Sequence, residues 1–426
     1  MTSDDLLQLQ QPLTEGGIRS VNFFNGRLLT SKDLTREQVA RREADARLGL
    51  AVGDGVAFGL DVQRGDGTNA VVLVKAGLAI NRLGQTLRLT QDTQVALTRQ
   101  FDAGSIERCL FGPCAQLVGG TYIAGAGVYL LTLTPAVVTE GRAPTNGLDP
   151  QNVRCNSDAN VEALQFRLLA LTPQMLAGLD IGSTRFRNEL AYRCFGAGVQ
   201  PDWFESLLTA EPPGDDLLDA LGAISLSAQE VPLALLQIQG GAELAAIDMW
   251  AVRRPVCRPA SGGLASLVDT RRQAVGHAMF MQFQAQVAEL GAPLALPAAV
   301  TARSHFRYLP AVGVIPLADE ASSTSPEAAR FFAGMPSRGP AFINGARVAG
   351  LVREGLSHPP IDTQGGEFVW LYRVRENRMA IELGSSVPTA RNYLVFASGH
   401  LPYRADAQYE LARFGYSNYA LGSTLS

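Results

Sequence analysis

The feature that most constrains this fold is a long succession of short strand-forming runs separated by turns. Glycine-containing turns divide "GVAFGLDVQR", "NAVVLVKAGLAI" and "TLRL" between residues 55 and 89. Two further runs, "GVYLLTLTP" and "EALQFRLLALTP", are each expected to end as strands at a Thr-Pro pair. The stretch "VPLALLQIQGGAELAAIDMW" predicts a β-hairpin with Gly240 and Gly241 near its turn. The chain is therefore predicted to be mainly β with some helix.

Three stretches carry helical patterns instead. In "LLTSKDLTREQVARREADARLGL" Thr30 is expected to cap a helix, with Asp33 as capping-box partner, and the helical pattern of charge pairs extends from Leu34 to about Leu50. The stretch "GGLASLVDTRRQAVGHAMFMQFQAQVAELG" predicts a second long helix, and "GARVAGLVREGL" predicts a short one near the C-terminus. The predicted fold class is α+β and multi-domain: β-sandwich-like modules plus one long helix near the N-terminus and one in the middle.

A chain of 426 residues is long enough for two to four domains. Shifts in composition and the order of strand-like and helix-like patterns suggest where their boundaries fall. The predicted units are an N-terminal arm (1–20), a helix with a small β-module for docking (21–110), a β-rich continuation (111–200), a mixed hairpin and long helix (201–310), and a C-terminal β-rich domain with a short helix (311–426).

Composition excludes several broad classes of protein. Hydrophobic residues make up 46% and charged residues 18%, which is not the composition of a disordered chain. The net charge of −4 gives no general attraction to nucleic acid or anionic lipid. The polar start "MTSDDLLQLQQPL" is unlike a secretory leader, so synthesis in the cytoplasm without a signal peptide is expected. No membrane insertion is expected, because Gly125, Gly127 and Pro135 interrupt the longest uncharged stretch.

Motifs for catalysis are sparse, and the chain is predicted not to be an enzyme. Lysine occurs only at Lys32 and Lys75, and neither completes a phosphate-binding loop. The histidines form no H-E-x-x-H zinc motif. Ser398 and His400 could share one face of a strand, which leaves a hydrolase as an alternative to a hydrogen-bonded strand end. No catalytic residue, cofactor or metal is predicted.

The cysteines are odd in number and irregularly spaced, which favours reduced thiols in a protein made in the cytoplasm. A disulfide between Cys109 and Cys114 stays an alternative if the protein ends outside the cell. Zinc bound by some of them is a second alternative, although structural zinc sites usually have tighter pairs. The five are Cys109, Cys114, Cys155, Cys194 and Cys257.

The stretch "SVNFFNGRLLTSKDLTREQVARREADARLG" places an aromatic pair directly before the first helix. Adjacent residues of a strand point to opposite faces, so one phenylalanine is expected in the local core and the other against a neighbouring molecule. The helix has only a narrow apolar stripe, which favours packing on a sheet edge or on another subunit. The alternative is that both phenylalanines close the domain's own core. The predicted interface residues are Phe23, Phe24, Arg27, Leu34 and Val39.

Several of these stretches resemble structural proteins of phage tails and phage-like contractile injection systems. The resemblance begins with "NFFNGRLLTSKDLTREQ", followed by "GLDV" and "VVLVKAGLAINRLGQTL". Later stretches, "VPLALLQI", "FRYLPAVGVIPL" and "VWLYRVREN", are similar to parts of such proteins. The resemblance implies a non-enzymatic baseplate, fibre or spike-associated virion component that is β-rich, oligomeric and often trimeric. The long glycine-rich repeats of a tail fibre shaft are missing, so a compact baseplate-proximal piece fits better.

The resemblance also implies partners and a location. Other tail or baseplate proteins are the expected partners, within an assembled virion tail or injection system, and a homo-oligomer is expected, with a trimer favoured. The alternative function is a surface- or carbohydrate-binding module that meets a host-surface glycan. Exposed aromatic side chains at Trp203, Tyr403, Tyr416 and Tyr419 would serve that alternative.

Overall fold

A computed structural model describes most of the chain and confirms a mainly β, multi-domain α+β protein with several small sheets and few helices. The β-sandwich-like arrangement of its modules and the predicted domain boundaries stay predictions. The described residues are 14–65, 71–100, 121–123, 125–141, 143, 157–196, 218, 226–239, 243–257, 270–291, 296–297, 299–317, 330–375, 392–399 and 401.

The first part of the chain is a helix followed by a small β-module, as predicted. Helix α1 spans Ser31–Val52 and begins directly after the predicted cap, Thr30. The module contains two antiparallel three-stranded sheets, with strand orders β1-β4-β5 and β2-β3-β6. A further antiparallel pair, β7-β8, follows. The strands are β1 (Gly55–Gly59), β2 (Val62–Arg64), β3 (Val71–Val74), β4 (Gly77–Ile80), β5 (Thr86–Leu89), β6 (Thr93–Ala96), β7 (Thr98–Gln100) and β8 (Thr121–Ile123).

A four-stranded antiparallel sheet forms the centre, in the order β10-β9-β11-β12. Its last two strands are the predicted hairpin. The sheet joins strands from the segments 111–200 and 201–310. The elements here are β9 (Gly127–Glu140), β10 (Ala159–Ala170), α2 (Phe186–Cys194), β11 (Val231–Gln239), β12 (Glu243–Asp248) and α3 (Thr270–Leu290).

Strand β9 does not end at its Thr-Pro pair, so that expectation was wrong. It runs through Pro135 to Glu140, and it is paired with β10 from Tyr129 to Glu140. Strand β11 pairs with β9 only from Gly127 to Leu133, so Pro135 lies beyond the reach of β11. A proline lacks a backbone N–H and is tolerated where a strand needs no partner on one side.

The C-terminal sheet is mixed, in the order β14-β18-β17-β15. β15 and β17 pair in parallel, and α5 lies in the crossover between them. Strand β17 pairs with β15 on one side and with β18 on the other. The elements are α4 (Ala302–His305), β13 (Tyr308–Leu309), β14 (Val312–Leu317), β15 (Ser337–Asn344), α5 (Gly345–Gly355), β16 (Ile361–Asp362), β17 (Val369–Arg375) and β18 (Asn392–Ser398).

The hydrophobic core is built on both faces of the central sheet. Alternate residues of β9 divide between them: Leu131 packs against the N-terminal β-module, and Leu130 packs on the side of α2. Helix α3 continues the core into the C-terminal sheet. There the ring centroid of Phe283 lies 5.1 Å from that of Phe306 and 5.3 Å from that of Phe396. Helix α1 contributes almost nothing to this core, since only Ala40 and Gly49 of its residues are buried.

Candidate assembly interface at the N-terminal helix

Exposed apolar side chains are concentrated at the N-terminal end of the described chain. Fifteen large hydrophobic residues are exposed in the described part, and nine of them lie between residues 23 and 52. A contiguous exposed apolar patch on a protein marks an interaction site more often than scattered single residues do. The nine are Phe23, Phe24, Leu28, Leu29, Leu34, Val39, Leu48, Leu50 and Val52.

Phe23 and Phe24 lie directly before a turn at Asn25 and Gly26, not in a strand, and both side chains are exposed. Their exposed fractions are 55% and 63%. The Arg27 N–H donates to the Phe24 carbonyl at 3.1 Å, and Gly26 takes φ +91°, a left-handed conformation that favours glycine. The expectation that one ring enters the local core was therefore wrong, because the two-sided alternation of side chains applies within a strand and these residues form none. The burial of both rings in the domain's own core is not what the described residues form.

Arg27 has a structural role within this turn. Its guanidinium forms an ion pair with Asp33 at 2.5 Å and donates to the Asn22 carbonyl at 2.8 Å. It also lies 5.9 Å from the centroid of the Phe24 ring. Its donors thus hold the turn against the start of α1, and they place Phe24 relative to the helix.

Helix α1 begins with the predicted capping box. Thr30 Oγ1 accepts from the Asp33 N–H, and the Asp33 carboxylate accepts from the Thr30 N–H at 3.0 Å and from its hydroxyl at 2.7 Å. The Thr30 hydroxyl, the Thr30 backbone and Arg27 together lower the pKa of Asp33 from 3.8 to about 2. The sequence alone was sufficient to find this cap.

The cap gives a prediction with a defined pH range. The depressed pKa of Asp33 means that its stabilising contribution is present above pH 3.8 and is lost as the pH falls towards 2. Thr30→Ala removes the largest cause of the shift, so the pKa of Asp33 should rise towards 3.8. Carboxyl NMR titration measures this. An unchanged pKa in Thr30→Ala would contradict the role of the hydroxyl; Thr35→Ala, also on α1, is the matched control.

Among the described residues, few contacts join α1 to the rest of the chain. The Val21 N–H donates to the Glu37 carboxylate at 3.2 Å, and Arg47 donates to the Gly16 carbonyl at 2.5 Å. The residues before the helix thus run back along one side of it. The C-terminal end of α1 lies so close to the β4–β5 turn that a Cβ on Gly49 would be 2.0 Å from the Gly84 carbonyl oxygen. This close approach of Gly49 to Gly84 sets the direction of α1 relative to the β-module.

Leu34 and Val39 lie on different sides of α1. Both are exposed, but five residues separate them, which places them about 140° apart around the helix. A single flat partner surface cannot cover both. The sequence prediction also missed the contribution of Leu28 and Leu48, which are 86% and 68% exposed. Residues seven positions apart lie on the same side of a helix. The spacing of Leu34, Arg41 and Leu48 therefore could have identified Leu48 as a residue on the same side as Leu34.

The charged side chains that line the cavity in the described part of the chain make structural contacts. A cavity of about 90 Å³ lies between the β-module and the central sheet, lined in part by Arg82, Glu230 and Arg254. The Glu230 carboxylate accepts from Thr132 at 3.0 Å and from Arg167 at 2.8 Å, and Arg82 and Arg254 donate to backbone carbonyls. These charged groups therefore hold neighbouring loops together.

The histidines within the described ranges do not form a cluster. His277 packs edge-on against Trp250, and burial together with the charge of Arg253 lowers its pKa. His305 contacts Ser304, and His358 contacts the Glu354 carbonyl. Among the described residues, no group of three or more His, Cys, Asp or Glu could hold a metal ion.

Other predicted features have mixed outcomes. Ser398 is buried at the end of β18, where its N–H donates to the Ala311 carbonyl at 2.7 Å; its neighbour His400 is not described. Cys194 and Cys257 are both buried. No helix in the described ranges has the length and apolarity needed to span a membrane. Outside those ranges lie Cys109, Cys114, Cys155, Trp203, Tyr403, Tyr416 and Tyr419.

Comparison with known proteins gives little further information. No protein-family model matches this chain, and no curated protein matches it. A crystal structure of TssK is similar over 64% of this chain and 51% of that one, at 10% sequence identity and a TM-score of 0.25. The chain thus spans about half the length of that protein. Because the TM-score is far below the value of a shared fold, this likeness carries no functional conclusion.

Proposed function

We propose that this protein is a non-enzymatic structural component of a phage-tail-like contractile particle, of the baseplate or fibre type, that assembles through residues 23–52. The observation that carries the proposal is the concentration of nine exposed large hydrophobic residues in that segment. The resemblance of this same segment to phage-tail structural proteins supports the choice of particle.

The energetics of α1 support an assembly role. The helix has 22 residues and is about 33 Å long, yet within the described part of the chain only its Ala40 and Gly49 are buried. Most of the stability of a helix in a protein comes from packing of its apolar face, and isolated helices are marginal in water. A partner that covers the exposed leucines would supply the packing that the chain itself does not.

The occupied polar groups support the non-enzymatic part of the proposal. A catalytic site requires titratable groups that are free to reach a substrate, in a concave pocket. In the described part of the chain, Arg82 and Arg254, which line the 90 Å³ cavity, donate to backbone carbonyls, and Glu230 accepts from the Thr132 hydroxyl and pairs with Arg167. His305 contacts Ser304, His358 contacts the Glu354 carbonyl, and His277 packs against the Trp250 ring.

The mass of the purified full chain in solution tests the proposal. Light scattering on a sizing column at two concentrations should give a closed oligomer, and co-purification with tail or baseplate proteins should retain the chain. A monomer that captures no tail or baseplate protein would contradict the assembly role. The trimer expected from the resemblance is one possible outcome of this measurement, and host-glycan binding by the isolated chain would instead favour the carbohydrate-binding alternative.

A further inference from the structure

We infer that α1 packs antiparallel against α1 of a second copy of this chain, along a seam formed by Leu34, Gln38, Arg41, Asp45, Leu48 and Val52. This inference rests on the proposed function and names the partner of the surface. All six side chains are exposed. None of the three polar ones has a hydrogen bond or ion pair within the described residues.

The spacing of the seam is that of a coiled coil. The six positions alternate steps of four and three residues, the a and d pattern of a heptad repeat. They occupy an arc of about 80° around the helix. The preceding segment contacts α1 through Glu37 and Arg47, and the β4–β5 turn contacts it through Gly49. The seam is the apolar-ended face that these contacts leave open.

The seam is self-complementary only when the two helices run in opposite directions. Antiparallel coiled coils pair an a position with a d position, and a two-fold axis through Glu43 opposes Leu34 to Val52 of the second copy. The same axis opposes Arg41 of each copy to Asp45 of the other, which forms two pairs of opposite charge. A parallel pair would instead place Arg41 against Arg41 and Asp45 against Asp45. Charge therefore selects the antiparallel arrangement.

The arrangement also covers the exposed apolar ends of the helix. In an antiparallel pair, the N-terminal turn of one copy, with Phe23 and Phe24, lies at the C-terminal end of the other copy's α1. That end carries exposed Val52 of the seam, and exposed Leu83 lies beside it in the β4–β5 turn. The apolar ends supply aromatic anchors for the pair, and the charged centre fixes its register.

Charge reversal tests the seam in the full chain. Arg41→Asp and Asp45→Arg each create two like-charged pairs, so each should raise the dimer dissociation constant at least about tenfold. The double variant Arg41→Asp/Asp45→Arg restores opposite charges and should return the constant to that of the wild type. Sedimentation equilibrium over a dilution series measures all three. Arg36→Asp, on α1 but outside the seam, is the matched control and should change nothing.

Disulfide cross-linking tests the direction. Oxidation should join two copies of Leu34→Cys/Val52→Cys but not two copies of Leu34→Cys, with the wild type as the baseline for the native cysteines. Cross-linking of Leu34→Cys alone, or a wild-type trimer, would overturn the antiparallel pair. If charge reversals leave the mass unchanged while substitution of Phe23 and Phe24 dissociates the oligomer, the seam is wrong and the proposed function stands. A wild-type monomer overturns the seam, and co-purification alone then decides the proposed function.

Discussion

Replacement of both Phe23 and Phe24 with alanine is expected to weaken assembly at least about a hundredfold while leaving the fold intact. An aromatic anchor buried at the centre of an interface costs about 2 kcal/mol or more when truncated, roughly thirtyfold in affinity for each residue. Both rings are more than half exposed in the single chain, so their loss removes little packing within it. The free energy of unfolding of the monomer should change by less than about 0.5 kcal/mol.

The measurement pairs a dilution series by light scattering with a thermal melt of the same samples. Phe58→Ala is the matched control, because Phe58 is 61% exposed but lies on β1, outside residues 23–52. It should leave both assembly and stability unchanged. A double variant that assembles like the wild type would exclude these rings from the interface. A double variant whose monomer unfolds would instead return them to the domain's own core.

Replacement of Asp248 with alanine is expected to destabilise the fold by about 3 kcal/mol, because it leaves a buried arginine without its main partner. The Asp248 carboxylate accepts from Arg187 at 2.9 Å, from Gln282 at 3.0 Å and from the Ala251 N–H at 3.0 Å. Burial alone would lower the pKa of Arg187, but the charge of Asp248 and the contact with Glu289 raise it overall. Glu289 remains in the variant as a partner of Arg187. The expected loss of unfolding free energy is therefore at the lower end of the range for a broken buried ion pair.

Urea unfolding measures this effect, and two further variants separate its causes. Asp248→Asn keeps the size and an oxygen acceptor but removes the charge, so it should cost less than alanine. Arg187→Met placed on Asp248→Ala removes the uncompensated charge and should restore part of the stability. If Asp248→Ala unfolds at the wild-type urea concentration, the network joining β12, α2 and α3 does not stabilise the fold.

Much of the local structure followed from the sequence. Thr30 and Asp33 predicted the start of α1, because a capping box needs only residues three positions apart. Gly240 and Gly241 predicted the β11–β12 hairpin, since a short turn joins neighbouring strands. Pro135 was misread as a strand end, because whether a proline is tolerated depends on a second neighbour that the local pattern does not reveal.

The interface at residues 23–52 stays a prediction. Four of the predicted interface residues, Phe23, Phe24, Leu34 and Val39, are exposed. Arg27 is instead engaged with Asp33. Leu28 and Leu48 were missed because exposure depends on the rest of the chain as much as on the residue itself.

The sequence by itself determined the strand and helix character of its segments, the cap of α1 and the narrowness of that helix's apolar stripe. These depend on periodicity and on contacts within a few residues. Only the tertiary structure decided that β9 lies between β10 and β11, and that Gly49 meets Gly84. Contacts between distant residues form by closing long loops, and many pairings of similar apolar strands satisfy the same local pattern. The one that forms is set by how all the side chains pack together, which no single stretch of sequence specifies.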